Sequence, residues 1–315
     1  MRFLIIPVMA FVFTAVFVFL SKKLAQRFRI YDYPDSKLSI HQIPIPLLGG
    51  VGIFVAVLIT LTISFLFILN PKGILTMLAV FVGGVLSFLL GLWDDLNWKR
   101  IFDRITYKQK FIFQLATSIV IAVVLSVGGL SIKITPLGVF GVLFVAFFIL
   151  GAMNALNLQD GLDGLAAGMV AVSTAGFTVL SVLSGNNFGL ILSLAGMGGA
   201  LGFLVYNFNP ASIFMGDNGS HFLGFFVAVL AIIFISRPYD LRWFIGPVLI
   251  IGFPVFDCAW AIFRRIIKRK NIFKGDRGHL YDRMIQKGIS VRGTVLLCYL
   301  IQVVFVAGGV SLTQL

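Results

Sequence analysis

Apolar residues in this chain come in unbroken blocks rather than on one face of a 3.6-residue repeat, and each block is about 20 residues long, enough to cross a bilayer as a helix. Ten such blocks occur, near 3–20, 47–69, 73–93, 110–127, 138–156, 163–184, 187–206, 220–236, 243–263 and 292–311. Short polar segments carrying Gly, Pro and charge separate them. The pattern predicts an all-α integral membrane protein of about ten transmembrane helices. It reads as a single polytopic domain over 1–315, because no loop is long enough to fold alone. The first block follows Arg2, holds bulky side chains and has no small-residue cleavage site, so it is expected to be an uncleaved first helix. In the ninth block Pro254 predicts a kink within one continuous span. The alternating stretch 128–137, GGLSIKITPL, predicts a short hairpin between spans.

Composition agrees: 59% of residues are hydrophobic and 12% charged, which excludes an ordinary soluble domain. Cys258 and Cys298 both fall inside predicted spans, so neither a disulfide framework nor a cysteine metal site is supported. Charge then orients the chain. With the amino terminus outside, 20 of the 25 Lys and Arg fall in alternate loops on one side, and the positive-inside rule makes that side cytoplasmic. All 12 acids are Asp, and every one except Asp240 falls on or just inside that same side, where no topological rule demands them. A strongly basic face attracts anionic lipid headgroups and equally an anionic soluble substrate.

Six polar segments share this face. The first loop, IYDYPDSKLSIHQIPIPLLGGVG, contains Lys37 and His41 in an ordered, non-helical setting. The third span ends GLWDDLN, placing Asp94 and Asp95 at a helix carboxyl end whose dipole is already negative, so nearby bases or a bound cation must compensate. Lys110 and Gln114 share a face at the start of the fourth span and can hold a phosphate or snorkel. In NALNLQDGLDGLAAG, Asn154, Asn157, Asp160 and Asp163 recur every three residues beside Gly161 and Gly164, which predict a helix break. These residues are either interhelical hydrogen-bonding glue or a site. In FNPASIFMGDNGS, Asp217, Asn218 and Ser220 precede the eighth helix as amino-terminal caps or as an anion-binding end. Asp257 is an intramembrane acid, followed by Arg264, Arg265 and the loop containing His279.

Together, Asp94, Asp95, Asn157, Asp160, Asp163, Asp217 and His279 gather at one membrane face. Oxygen ligands without thiolates suit Mg²⁺ or Mn²⁺, with substrate phosphates completing the shell. The surrounding bases suit a diphosphate. A site at the lipid interface with soluble access suggests joining a water-soluble phosphorylated donor to a lipid acceptor.

GLWDDLN, NALNLQDGLDGLAAG, FNPASIFMGDNGS and GDRGHLYDRM, in that order across essentially the whole chain, resemble the polyprenyl-phosphate N-acetylhexosamine-1-phosphate transferase superfamily (glycosyltransferase family 4), and within it the WecA and TagO branch rather than MraY. The resemblance implies Mg²⁺-dependent transfer of an N-acetylhexosamine 1-phosphate, GlcNAc-1-phosphate by preference, from its UDP donor to undecaprenyl phosphate. UMP is released and a cell-envelope glycan such as lipopolysaccharide or teichoic acid is initiated. It also implies a multi-pass protein of the bacterial inner membrane with a cytoplasmic active site, membrane lipids as neighbours, room for a homodimer and no nucleic-acid partner. By motif, Asn157 and Asp217 would hold Mg²⁺, and Asp160, Gly161, Asp163, Asn207 and Phe214 would surround the uridine end. Asp94 matches a base or lipid-phosphate contact, with Asp95 beside it. His279, Arg264 and Arg265 would address the sugar and phosphates, and Lys37, His41 and Lys110 resemble phosphate-site bases. The chain departs from the branch's H-x-H-H-R pattern, since Leu280, Tyr281, Asp282 and Arg283 follow His279. Two other readings stand beside this one: an MraY-type phospho-MurNAc-pentapeptide transferase, and a cation-coupled secondary transporter using Asp257 and the Asn/Asp cluster near broken helices.

Overall fold

The computed structural model describes residues 2–34, 43–68, 74–98, 106–130, 138–235, 240–271 and 276–315. Lys37, His41 and most of the expected 128–137 hairpin lie outside the described residues. After a single 3-10 turn, Arg2–Leu4, comes α1 (Ile5–Arg27) and then a two-stranded antiparallel ribbon, β1 (Tyr31–Asp32) with β2 (Ile45–Pro46). The helices that follow are α2 (Gly49–Ile68), α3 (Ile74–Trp98), α4 (Tyr107–Val127), α5 (Gly138–Gln159), α6 (Leu165–Leu183), α7 (Asn187–Asn207) and α8 (Gly216–Ile235). The chain ends with α9 (Leu241–Ile250), α10 (Gly252–Ile267), α11 (Leu280–Gln286) and α12 (Val291–Leu312). Among the described residues nine helices are long and apolar enough to cross a membrane, and α9 with α10, bent by 85°, make a tenth if counted as one span. This is an all-α multi-pass membrane protein.

The ninth expected span, 243–263, is thus two helices rather than one kinked helix. Pro254 explains the break: its ring would collide with the carbonyl of Ile250, four residues back, so α9 stops there. In the first turn of α10 the missing proline N–H is no loss. The freed backbone groups are satisfied by one side chain of α12, since Gln302 Nε2 donates to Ile250 O at 2.7 Å and Gln302 Oε1 accepts from Phe253 N at 3.0 Å.

The organising element is α8, which is apolar all round its circumference from Phe222 onward and is accordingly buried along its length. It packs against α2, α3, α5 and α9. Its amino-terminal end is gripped closely by two other helices. A Cβ on Gly91 of α3 would lie 2.2 Å from Asp217 O, and one on Gly50 of α2 would lie 2.1 Å from Asn218 Oδ1. Because Gly91 faces backbone, which cannot rotate away, Gly91→Ala is expected to separate α3 from α8 and cost about 1–3 kcal/mol. Thermal unfolding in detergent checks this; an unchanged midpoint would contradict the close approach.

Candidate active site

The site is built at the start of α8. The chain enters this helix through Gly216, whose φ of +79° favours glycine and whose missing Cβ leaves room for Asp95 Oδ2, 2.8 Å from where that atom would sit. Asp95, one residue after Asp94 on α3, is buried and accepts from Asp217 N at 2.9 Å, Asn218 N at 3.0 Å and Asn218 Nδ2 at 2.5 Å. It therefore caps α8 from another helix, where a carboxylate also meets the positive end of the helix dipole. The cap anticipated from Asp217, Asn218 or Ser220 is supplied through space instead.

With its backbone held by Asp95, Asp217 turns its carboxylate to three other helices. Lys110 Nζ of α4 lies 2.9 Å from Asp217 Oδ2 and forms a second ion pair with Asp94 of α3. Asn157 Nδ2 of α5 donates to Asp217 Oδ1 at 2.6 Å and to Ser220 Oγ at 2.9 Å. One turn deeper the same helices meet again: Gln114 Nε2 lies 3.1 Å from His221 Nε2, and Asn154 Nδ2 donates to Gln114 Oε1 at 3.3 Å and to Leu150 O at 2.8 Å. The i, i+4 pairs Lys110/Gln114 and Asp217/His221 stack as two rungs, with Asn157 and Asn154 completing the layers. Asn154 belongs to the inner rung, a registering contact. The role of His221 goes unnoticed in the sequence, although its spacing from Asp217 repeats that of Gln114 from Lys110.

The turn after α5 forms one wall. Asp160 is half-buried; burial first, and then the carboxylates of Asp217, Asp95, Asp163 and Asp32, push its carboxyl well above the usual range. Asp163 Oδ2 accepts from Asn209 Nδ2 and Ala211 N, both at 2.9 Å, tying this turn to the segment before α8. Asn207 is buried with both amide ends engaged, Oδ1 by Gly164 N at 2.9 Å and Nδ2 by Ile213 O at 3.0 Å. Phe214 lends its backbone to the segment before α2, donating to Pro46 O at 2.8 Å and accepting from Gly49 N at 2.9 Å. A Cβ on Gly161 would lie 2.6 Å from Tyr281 Oη, so glycine there lets Tyr281 donate to Leu158 O at 2.9 Å.

The last polar segment folds against this wall. His279 is buried, its Nδ1 2.7 Å from Asp257 Oδ2, and its ring stacks on Tyr281 at 5.5 Å between centroids. Its backbone N–H donates to Asp282 Oδ2 at 3.3 Å. Arg264 and Arg265, expected at the phosphates, are both engaged with Asp276, at 2.7 and 2.8 Å. Those guanidinium hydrogen bonds, led by Arg264, hold the Asp276 carboxyl well below the usual range. The structure thus brings Asp94, Lys110, Asn157 and Asp217 into direct contact, uses Asp95 behind them, and sets His279 in a neighbouring shell of its own.

Among the described residues no three His, Cys, Asp or Glu side chains close a metal cage. Asp94 and Asp217 share the ammonium of Lys110, and Asp160 adds a carboxyl whose strongest electrostatic neighbours are the carboxylates of Asp217, Asp95, Asp163 and Asp32. An acid-rich, oxygen-donating, open set of this kind fits a hard divalent cation that takes one or two carboxylates and finds its other ligands in water and phosphate.

The contacting cluster Asp94, Lys110, Asn157 and Asp217 falls inside residues 77–235, which match the family model described as glycosyl transferase family 4. The chain belongs to that family. Within it, the chain is 33% identical over 299 residues to a probable undecaprenyl-phosphate N-acetylglucosaminyl 1-phosphate transferase of Bacillus subtilis (strain 168), covering 92% of this chain and 79% of that protein. It is 31% identical over 309 residues to a decaprenyl-phosphate N-acetylglucosaminephosphotransferase of Mycobacterium leprae (strain TN), covering 88% and 75%. A phospho-N-acetylmuramoyl-pentapeptide-transferase of Staphylococcus carnosus (strain TM300) is 36% identical over a shorter stretch, 205 residues, covering 59% and 61%. The family match ends before α10 and α11, whereas the Bacillus subtilis match spans nearly the whole chain.

Proposed function

We propose that the protein transfers N-acetylglucosamine 1-phosphate from UDP-N-acetylglucosamine to undecaprenyl phosphate, releasing UMP, at the cytoplasmic face of the bacterial inner membrane. The observation that carries this reading is the pairing of Asp94 and Asp217 with one ammonium, Lys110, and of Asn157 with Asp217, at the amino-terminal end of α8. That the N-acetylglucosamine transferases match more of the chain than the muramoyl-pentapeptide transferase of Staphylococcus carnosus supports the choice of sugar.

In this reading an oxygen of the polyprenyl phosphate attacks the sugar-linked phosphorus of the donor. A new P–O–P link forms to the lipid, the link between the two phosphates of UDP breaks, and its electron pair leaves on UMP. The lipid phosphate is already ionised near neutral pH, so little general-base help is needed. Asp217 and Asn157 would hold Mg²⁺, or Mn²⁺ in its place, which supplies charge neutralisation at the diphosphate when bound. Lys110 places its ammonium between Asp94 and Asp217, where it can keep the attacking phosphate beside the donor despite their mutual repulsion. Asp160, Gly161 and Asp163 would line the uridine side, on a turn that Asn207 and Phe214 stiffen. His279 would meet the sugar or phosphates. Asp257, the acid that an ion-transport reading would use, instead accepts hydrogen bonds from Gln159, His279 and Leu280.

A donor panel tests the assignment. Purified protein with undecaprenyl phosphate and Mg²⁺ is expected to turn over UDP-N-acetylglucosamine at least about tenfold faster than UDP-N-acetylmuramoyl-pentapeptide, a gap of about 1.4 kcal/mol in transition-state binding. Preference for the pentapeptide donor would move the protein to the other branch, and no turnover of any UDP-sugar would sink the reading.

A further inference from the structure

Asp257 has no part in the mechanism above, yet it is among the most fully engaged carboxylates in the molecule. It sits in α10, buried to 7% exposure, and touches two separate pieces of chain through three partners. Its Oδ2 accepts from Gln159 Nε2 at 2.9 Å and lies 2.7 Å from His279 Nδ1, while its Oδ1 accepts from the backbone N–H of Leu280 at 2.9 Å. A carboxylate accepts and does not donate, so His279 carries its proton on Nδ1. Tyr281 covers one face of the imidazole. Among the described residues no hydrogen bond is made by Nε2, the ring nitrogen left to meet a ligand.

We propose that Asp257 is a positioning residue for the transferase site: it fixes His279 as the Nδ1–H tautomer and so presents Nε2 as a lone pair to the donor substrate. The proposal rests on the transferase reading for what Nε2 meets, but not for the tautomer. In that state Nε2 accepts a hydrogen bond from a sugar hydroxyl, or takes up a proton and donates to a phosphate oxygen with Asp257 balancing the charge behind it. The opposite tautomer already carries its proton on Nε2, so it can donate to a phosphate oxygen but can neither accept from a sugar hydroxyl nor take up a further proton there.

Geometry also says what a near-isosteric change would do. In Asp257→Asn the backbone N–H of Leu280 must still donate, so the amide oxygen has to face Leu280. The amide NH₂ then falls on His279 Nδ1 and forces the ring to the Nε2–H tautomer. Gln159 can rotate its own amide to follow, so the fold survives while the tautomer inverts.

The protein has three histidines, His41, His221 and His279, so ring-nitrogen NMR of histidine-labelled protein in detergent is assignable by substitution. Wild type is expected to show a pyridine-like Nε2 for His279. Asp257→Asn is expected to show a pyridine-like Nδ1, with the His221 signals unmoved as a control for folding. The rate should fall about ten- to a hundredfold in kcat, with KM for the UDP donor changed less than about threefold. On a His279→Ala background, Asp257→Asn should cost nothing more, because Asp257 then has no ring to orient. An Nε2–H His279 in wild type, an unswitched ring in Asp257→Asn, or a further loss in the double variant would each overturn the proposal. Wild-type release of UMP tests the transferase reading separately, and its failure leaves the ring signals interpretable.

Discussion

Asp217→Ala is expected to lower UMP release by about a hundred- to a thousandfold while leaving the unfolding midpoint near that of wild type. The rate loss follows from its place: the Asp217 carboxylate is the common partner of Lys110 and Asn157, and in the proposed mechanism it faces the diphosphate. Losing one such preorganised group typically costs two to three orders of magnitude. The fold survives because no partner is stranded. Lys110 keeps its ion pair with Asp94, Asn157 Nδ2 keeps Ser220 Oγ, and the cap on α8 is the carboxylate of Asp95, which the substitution does not touch. Steady-state UMP assays alongside thermal unfolding check both halves. A near-normal rate would reduce Asp217 to a structural residue.

Asp95→Ala should fail differently. It removes three hydrogen bonds from the first turn of α8 and leaves the N–H groups of Asp217 and Asn218 without partners in a buried setting. The cost is about 3 kcal/mol or more, and activity should be lost along with stability. Asp95→Asn offers no rescue, because all three partners are donors and the amide NH₂ must oppose one of them. Asp94→Asn, by contrast, keeps partners in the Lys110 ammonium and the Asp217 carboxylate, to which Asp94 is also hydrogen-bonded, and should keep its unfolding midpoint while losing activity. The two adjacent carboxylates are therefore separable: one works at the site, the other holds the helix that carries it. Equal unfolding midpoints for Asp95→Ala and Asp94→Asn would contradict this division.

The number and order of the helices could be read from the length of the apolar blocks, because bilayer thickness dictates that length directly. The break at Ile251 could not be read so easily. Pro254 predicts a distortion, but whether a helix kinks or stops depends on who satisfies the freed groups, and Gln302 is 48 residues away in sequence. The same distinction holds at the site. The polar residues of α3, α4, α5 and α8 announce themselves as costly in a membrane. Which of them face the substrate and which face each other is a matter of pairing across helices. Asp94 and Asp95 differ by one position and by about 100° of helical rotation, and that rotation assigns their tasks. Asp257 looked like a transporter's ion site for the same reason: an intramembrane acid is conspicuous, whereas its partners, Gln159, His279 and Leu280, lie far off in sequence or in a loop. Arg264 and Arg265 read as phosphate ligands until Asp276, itself unremarked among basic neighbours, is seen between them.

The central claim is that a sugar 1-phosphate, and not a sugar alone, moves to the lipid. A UDP-N-acetylglucosamine labelled at its β-phosphorus, incubated with purified protein, undecaprenyl phosphate and Mg²⁺, tests it in one partition step. The account predicts that the label passes into the organic phase with the lipid, one label for each UMP left in water. Label retained in water as UDP or as free phosphate would contradict it.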